Sequence, residues 1–198
     1  IGADGNDGNG SASGHVRIYQ NVNGTWTKVG DDIDGETAND YSGTSVSLSS
    51  DGSIVAIGAD RNDENGTNSG HVRIYQNVNG TWTKIGDDID GDAAFDLLGR
   101  SVSLSDDGSI VAIGAYLNDG NGSNSGHVRI YQNVNGTWTK VGEDINGEAT
   151  NDNSGLSVSL SADGSVVAIG APGNDGNGSD SGHVRLYQID LDTTTQLT

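Results

Sequence analysis

Polar and apolar positions along the chain fall into short alternating runs. Ser45-Val46-Ser47-Leu48-Ser49 alternates strictly between apolar and small polar side chains, the period of a half-buried β-strand. Ile54-Val55-Ala56-Ile57-Gly58 is apolar on both faces and predicts a strand central in its sheet. His71-Val72-Arg73-Ile74-Tyr75 and Thr81-Trp82-Thr83-Lys84-Ile85 supply a third and a fourth strand. Asp51-Gly52 and Asn79-Gly80 read as two-residue hairpin turns, whose central residues take positive φ. A Gly-, Asn- and Asp-rich loop separates the second and third strands, and an acidic loop from Asp87 to Gly99 follows the fourth. No segment carries a helical period, so the expected fold class is all-β.

The pattern is copied. Gly14-His15-Val16-Arg17-Ile18-Tyr19-Gln20 returns at Gly70, at Gly126 and, with one change, at Gly182, always 56 residues on. Residues 57–112 and 113–168 are identical at 41 of 56 positions without a gap. Such a period means stacked units, none of which buries its faces alone. Four antiparallel strands per unit predict the blade of a β-propeller, about 3.5 of them here, fewer than the roughly 4–8 of a closed ring. The serines of the first strand suit blades that stack face to face. The repeat array is expected over 1–188, as a partial unit 1–40, full units of about 41–96 and 97–152, and a last unit of about 153–188. Residues 189–198 leave the pattern. The count leaves open a piece of a longer array, or association with other copies into a ring or an end-to-end fibre.

One family shares these features. Gly155-Leu156-Ser157-Val158-Ser159-Leu160, then Val167-Ala168-Ile169-Gly170-Ala171-Pro172, then Gly182-His183-Val184-Arg185-Leu186-Tyr187 resembles an FG-GAP repeat. The resemblance implies propeller blades like those of integrin α-chain heads and many microbial surface proteins. Two features depart from that family. Tyr41-Ser42, Leu97-Leu98 and Asn153-Ser154 stand where the family has phenylalanine, and its acid-rich calcium insert is cut to Asp51-Gly52, Asp107-Gly108 and Asp163-Gly164.

Charge and composition narrow the function. With 28 acids against 9 bases the net charge is −19, so the chain repels nucleic acid. No apolar run is long enough for a membrane-spanning helix, and there is no cysteine for disulfides or thiolate metal sites. Hydrophobic residues make up only 32%, a composition that would suggest disorder but for the repeat.

Each candidate for chemistry also recurs. His15, His71, His127 and His183 share one repeat position, two residues before Arg17, Arg73, Arg129 and Arg185. A structural role between blades is expected for the histidines, and pairing with loop acids for the arginines. Trp26, Trp82 and Trp138 lie on the outer strand near Tyr19, Tyr75 and Tyr131; cross-strand packing is the expectation, a sugar-stacking platform the alternative. Asp32-Ile33-Asp34, Asp88-Ile89-Asp90 and Asp144-Ile145-Asn146 precede a glycine, and Asp7, Asp63, Asp119 and Asp175 sit in the other loop. Both loops have the oxygen spacing of a Ca2+ loop, and both are explained equally by Asx turns. Asn-Gly-Ser/Thr sequons place candidate N-glycans at Asn9, Asn23, Asn65, Asn79, Asn121, Asn135 and Asn177. Catalysis ordinarily needs one asymmetric constellation, so the repetition predicts a non-enzyme. The reading is an extracellular or cell-surface structural and adhesive module, partnered by its own copies, with a lectin-like or a calcium-dependent adhesion domain as alternatives.

Overall fold

The computed structural model describes residues 1–191, and no helix occurs among them. The first unit supplies β1 (Gly2–Ala3), β2 (His15–Val16), β3 (Tyr19–Val22), β4 (Thr25–Lys28) and β5 (Ile33–Asp34). The second supplies β6 (Ser45–Leu48), β7 (Ile54–Ala59), β8 (His71–Val78), β9 (Thr81–Lys84) and β10 (Ile89–Asp90). The third has β11 (Ser101–Leu104), β12 (Ile110–Ala115), β13 (His127–Val134) and β14 (Thr137–Asn146), and the fourth β15 (Ser157–Leu160), β16 (Val166–Ala171) and β17 (His183–Gln188). Neighbouring strands within each unit pair antiparallel. Among the described residues, only the third unit is a single four-stranded sheet in chain order. In the second, β9 and β10 pair with separate ends of β8; the first divides into β1-β2-β5 and the β3-β4 hairpin; the fourth has three strands among the described residues.

Two local expectations change. The stretch expected as an acidic loop begins as strand: Ile89 and Asp90 pair with Val72 and His71, and β14 runs unbroken through Asp144 to Asn146. Ile33 and Ile89 are buried, and this apolar anchor sets Asp34 and Asp90 beside it in strand. The Asn-Gly turns have positive φ at both residues, 53° and 89° at Asn79 and Gly80, whereas at Asp51-Gly52 only Gly52 does, at 70°. The latter loop instead runs from Ser49 to Ile54, clamped by the Asp51 carboxylate, which accepts from Ser49 Oγ at 2.7 Å and from the Ser53 amide at 2.9 Å. Tyr75 lies opposite Lys84, and Trp82 opposite Asn77.

Burial happens between units. Val16, Ile18 and Ile33 of the first unit pack with Val55 and Ile57 of the second. Ala56, Val72 and Ile74 pack with Leu104, Val111 and Ile113 of the third, and Ile110, Val128 and Ile130 with Val167 and Ile169 of the fourth. The central strand therefore sends alternate side chains into two different cores, which is why it is apolar on both faces.

The serine-bearing strands zip these seams together. Ser47 Oγ accepts from the Leu104 amide at 3.0 Å and Ser103 Oγ from the Leu160 amide at 2.9 Å. Ser45 and Ser101 hydroxyls donate to the Gly99 and Gly155 carbonyls, each at 2.7 Å. Gly58 and Gly114 admit this approach, since a Cβ on either would stand 2.0 Å from the next unit's carbonyl oxygen. Beyond the repeat, Ile189 donates its amide to Ser165 O at 2.7 Å, and Ile189 and Leu191 pack on the last core. The rest of the expected tail, 192–198, lies outside the described residues.

Candidate functional site

The outer half of each seam is polar. In the first unit Arg17 donates from Nε and Nη2 to Asp32 at 2.9 and 2.7 Å, and Lys28 reaches the second oxygen at 2.7 Å. The third unit repeats this: Arg129 holds both oxygens of Asp144 at 2.9 Å and reaches back across the seam to Asp92. The bonds from Arg17 and from Arg129 hold the Asp32 and Asp144 carboxyls well below the usual carboxylate range. The pairing of arginines with loop acids is thus as expected.

The second unit departs. Arg73 turns away from Asp88 to donate to the Asp34 carbonyl at 2.9 Å and to pair with Glu36 of the first unit at 3.2 Å. Asp88 keeps only its lysine, Lys84, at 2.5 Å. Glu64, at a position that is glycine in the other units (Gly8, Gly120, Gly176), enters the space. Glu36, Glu64, His71 and Asp88 then bring ligand-type atoms within 4.8 Å of one another. His71 is buried, and burial and then the Arg73 charge push its imidazole down to about 4, so it is neutral near pH 7. Asp90, opposite it at 4.0 Å, is pushed up to about 6 by burial and then by Glu64, Asp88 and Glu36. A related grouping, His15, Asp32 and Asp34, is already closed by Arg17.

The remaining calcium candidates are engaged by backbone amides of their own loops. Asp7, Asp63, Asp119 and Asp175 each accept the amide five residues on, from Ala12, Asn68, Asn124 and Asp180, at 2.7–2.8 Å. Asn146 stands on β14 where the preceding units carry Asp34 and Asp90. The seven sequons divide into two kinds. Asn9, Asn65 and Asn121 spend the side-chain nitrogen on the carbonyls of Gly35, Gly91 and Gly147, at 2.9, 3.1 and 2.7 Å. Asn23, Asn79 and Asn135 stand exposed at hairpin tips; Asn177 is exposed in the last loop.

The tryptophans act across seams. Trp82 donates its indole N–H to Val29 O at 2.9 Å and Trp138 to Ile85 O at 3.0 Å, both in the preceding unit. Trp82 and Trp138 thus serve as inter-unit struts and are half-buried, whereas Trp26 is 68% exposed. Trp82 and Trp138 do edge acidic clefts, of about 270 Å³ beside Asp31, Asp32 and Asp34 and about 170 Å³ beside Asp87, Asp88 and Asp90.

Sequence reasoning missed Asp40, Asp96 and Asp152, all buried. They accept from Asn62, Asn118 and Asn174 of the following unit at 3.3, 3.0 and 3.0 Å. Their unbroken recurrence at 56-residue spacing was the available signal. Apolar surface stays open in two places. In the seam between the first and second units, Val16, Ile18 and Trp26 of the one and Val46, Leu48 and Val55 of the other line an apolar groove of about 550 Å³. On the last strand, Val184 and Leu186 are 67% and 72% exposed, although their counterparts Val128 and Ile130 are buried.

Comparison with known proteins places this geometry. Two solved structures share the fold: a candidate 6-phosphogluconolactonase of Bacteroides uniformis (TM-score 0.58, 16% identity) and the periplasmic gluconolactonase PpgL of Pseudomonas aeruginosa (TM-score 0.54, 15% identity). They match 91% and 87% of this chain, which spans 45% of each of theirs. Among curated proteins there is no match. These neighbours correct the expectation of a non-enzyme. Proteins named as lactonases share this fold, so a repeated architecture does not exclude catalysis, and Glu64 shows that one polar cluster here is not copied. At such low identity the likeness itself extends to the fold alone. The FG-GAP repeat matches at residues 33–75, 88–131 and 146–187, most of the chain and each match spanning a strand-to-strand junction described above: the protein belongs to the FG-GAP repeat family.

Proposed function

We propose that the chain is an extracellular structural and adhesive module of four-stranded propeller blades, which stacks onto further repeats of its own kind and turns its hairpin tips to solvent. The observation that carries this reading is the face of the last strand. Val184 and Leu186 are exposed at the positions where Val128 and Ile130 are sealed by the following unit. Apolar surface of this kind gains roughly 25 cal/mol per Å² on burial, and in the earlier seams the partner of that face is the next unit of the same sequence. Unit meeting unit in this way is a head-to-tail contact, which closes a ring or extends a fibre. Asn23, Asn79 and Asn135 lie on hairpin tips, exposed and open to glycans.

Light scattering coupled to size exclusion tests the reading against the 20.3 kDa chain mass. Concentration-dependent growth, lost when Val184 and Leu186 are both changed to lysine, supports it; a constant monomer mass at high concentration refutes it. Lactone hydrolysis is the second reading. It draws on the names of the fold neighbours and on His71, a neutral imidazole among carboxylates. Turnover of gluconolactone above the buffer rate, abolished by His71→Asn, would establish it.

A further inference from the structure

Among the four copies of the repeat, the second alone carries an acid at position 64. Three carboxylates from three different loops, Glu36, Glu64 and Asp88, thereby meet the His71 imidazole, with ligand-type atoms all within 4.8 Å of one another. An acidic cluster on a surface is commonplace, but His71 is not. Its side chain is 1% exposed, and neither ring nitrogen has a hydrogen-bond partner. A buried polar group without a partner costs about 1–3 kcal/mol, so native structures rarely leave one without a function. Beside it, Asp90 Oδ1 is buried and unpartnered as well, 4.0 Å from Nδ1.

The charges point the same way. Glu36, Glu64, Asp88 and Asp90 face only two bases here, Arg73 and Lys84, which leaves two formal negative charges. Arg73 holds one oxygen of Glu36 and Lys84 one of Asp88, so each of these carboxylates keeps an oxygen free of an ion pair. The neighbouring units serve as internal comparisons. There the guanidinium of Arg17 or Arg129 lies directly on the corresponding aspartate, and the glycines Gly8 and Gly120 leave no fourth donor.

We infer that the seam between the first and second units holds a divalent-metal site, with His71, Glu36, Glu64 and Asp88 as ligands and Asp90 as the carboxylate that flanks the imidazole. A donor set of one nitrogen and several carboxylate oxygens suits first-row dications such as Zn2+ or Mn2+. Ca2+ and Mg2+ take oxygen alone. Because Glu36 belongs to the first unit and the other ligands to the second, the ion would pin one unit against the next.

Calorimetric titration of the chelator-treated full chain with Zn2+ tests this, alongside Co2+ absorption as a reporter of nitrogen and oxygen coordination. The expected result is one Zn2+ per chain, bound more tightly than Ca2+. In Glu64→Gly, which installs the residue that the other three units carry, affinity should fall at least ~10-fold, since even an outer partner of a metal is worth about 10–100-fold. The melting temperature of the metal-free variant should match that of the parent. Absence of Zn2+ binding, several equivalent weak sites, equal preference for Ca2+, or unchanged affinity in Glu64→Gly would each overturn the assignment.

Discussion

Substituting alanine for Gly114 should separate the third unit from the fourth, while the same change at Gly170 should do little. Both glycines are third in an Ala-Ile-Gly-Ala run on equivalent strands. A Cβ at Gly114 would stand 2.0 Å from Gly155 O, a backbone atom that can move only if the units part. At Gly170 the nearest atom is Ser157 Oγ at 2.4 Å, a hydroxyl that rotates away. The Gly114 variant therefore carries an overpacking cost of about 1–3 kcal/mol. It also strains a seam hydrogen bond, Ser101 Oγ–H to Gly155 O at 2.7 Å, worth about 0.5–1.5 kcal/mol. The gain from restricting the unfolded chain, roughly 0.4–1 kcal/mol, is common to both variants and cancels in the comparison. Urea denaturation followed by tryptophan fluorescence should place Gly114→Ala about 1.5–4.5 kcal/mol below Gly170→Ala. Equal stabilities would mean that the seam does not depend on backbone approach, and the packing argument would fail with it.

Three further outcomes are expected. Trp138→Phe removes the bond to Ile85 O and should cost about 0.5–1.5 kcal/mol in the same denaturation experiment, whereas Trp26→Phe, on an exposed ring, should change stability by less than about 0.5 kcal/mol. Burial and then the Arg129 charge push His127 down to about 4; since the unfolded chain takes up that proton near pH 6.5 and the folded chain does not, stability should fall as pH drops from 6.5 to 4. That loss is on the order of 3 kcal/mol, and melting curves of His127→Gln should show a flatter slope across the window; parallel slopes would refute the cause. Secreted through a eukaryotic host, the protein should carry N-glycans at Asn23, Asn79 and Asn135 and lack them at Asn9, Asn65 and Asn121, whose amide nitrogens are engaged; peptide mass spectrometry after glycosidase treatment reads this directly.

Strand positions and the repeat were legible because both are written in local period: the alternation of Ser45 to Ser49 and the copies of Gly-His-Val-Arg reach the eye without any long-range contact. The faces buried by Val55 and Ala56 were legible for the same reason. What lay hidden depends on contacts between units. Asp34 and Asp90 read as loop because acids and glycine dominate their surroundings, yet beside the buried Ile33 and Ile89 they form strand. The struts from Asn62 to Asp40 and from Trp82 to Val29 join residues 22 and 53 positions apart, beyond any turn or strand period. Glu64 looked like one loop substitution among many. Only the fold shows that it faces His71 and Asp88, while Gly8 and Gly120 leave that corner to arginine.

The serine and glycine zipper between units has a consequence for how such a chain can change over time. Its hydrogen bonds run between main-chain groups and hydroxyls at equivalent positions of the second and third units, so units that carry these serines can follow one another with the same fit. Gain or loss of one whole 56-residue copy during replication would leave each remaining junction intact. Array length can thus drift freely, while the exposed turns diversify without endangering the stack.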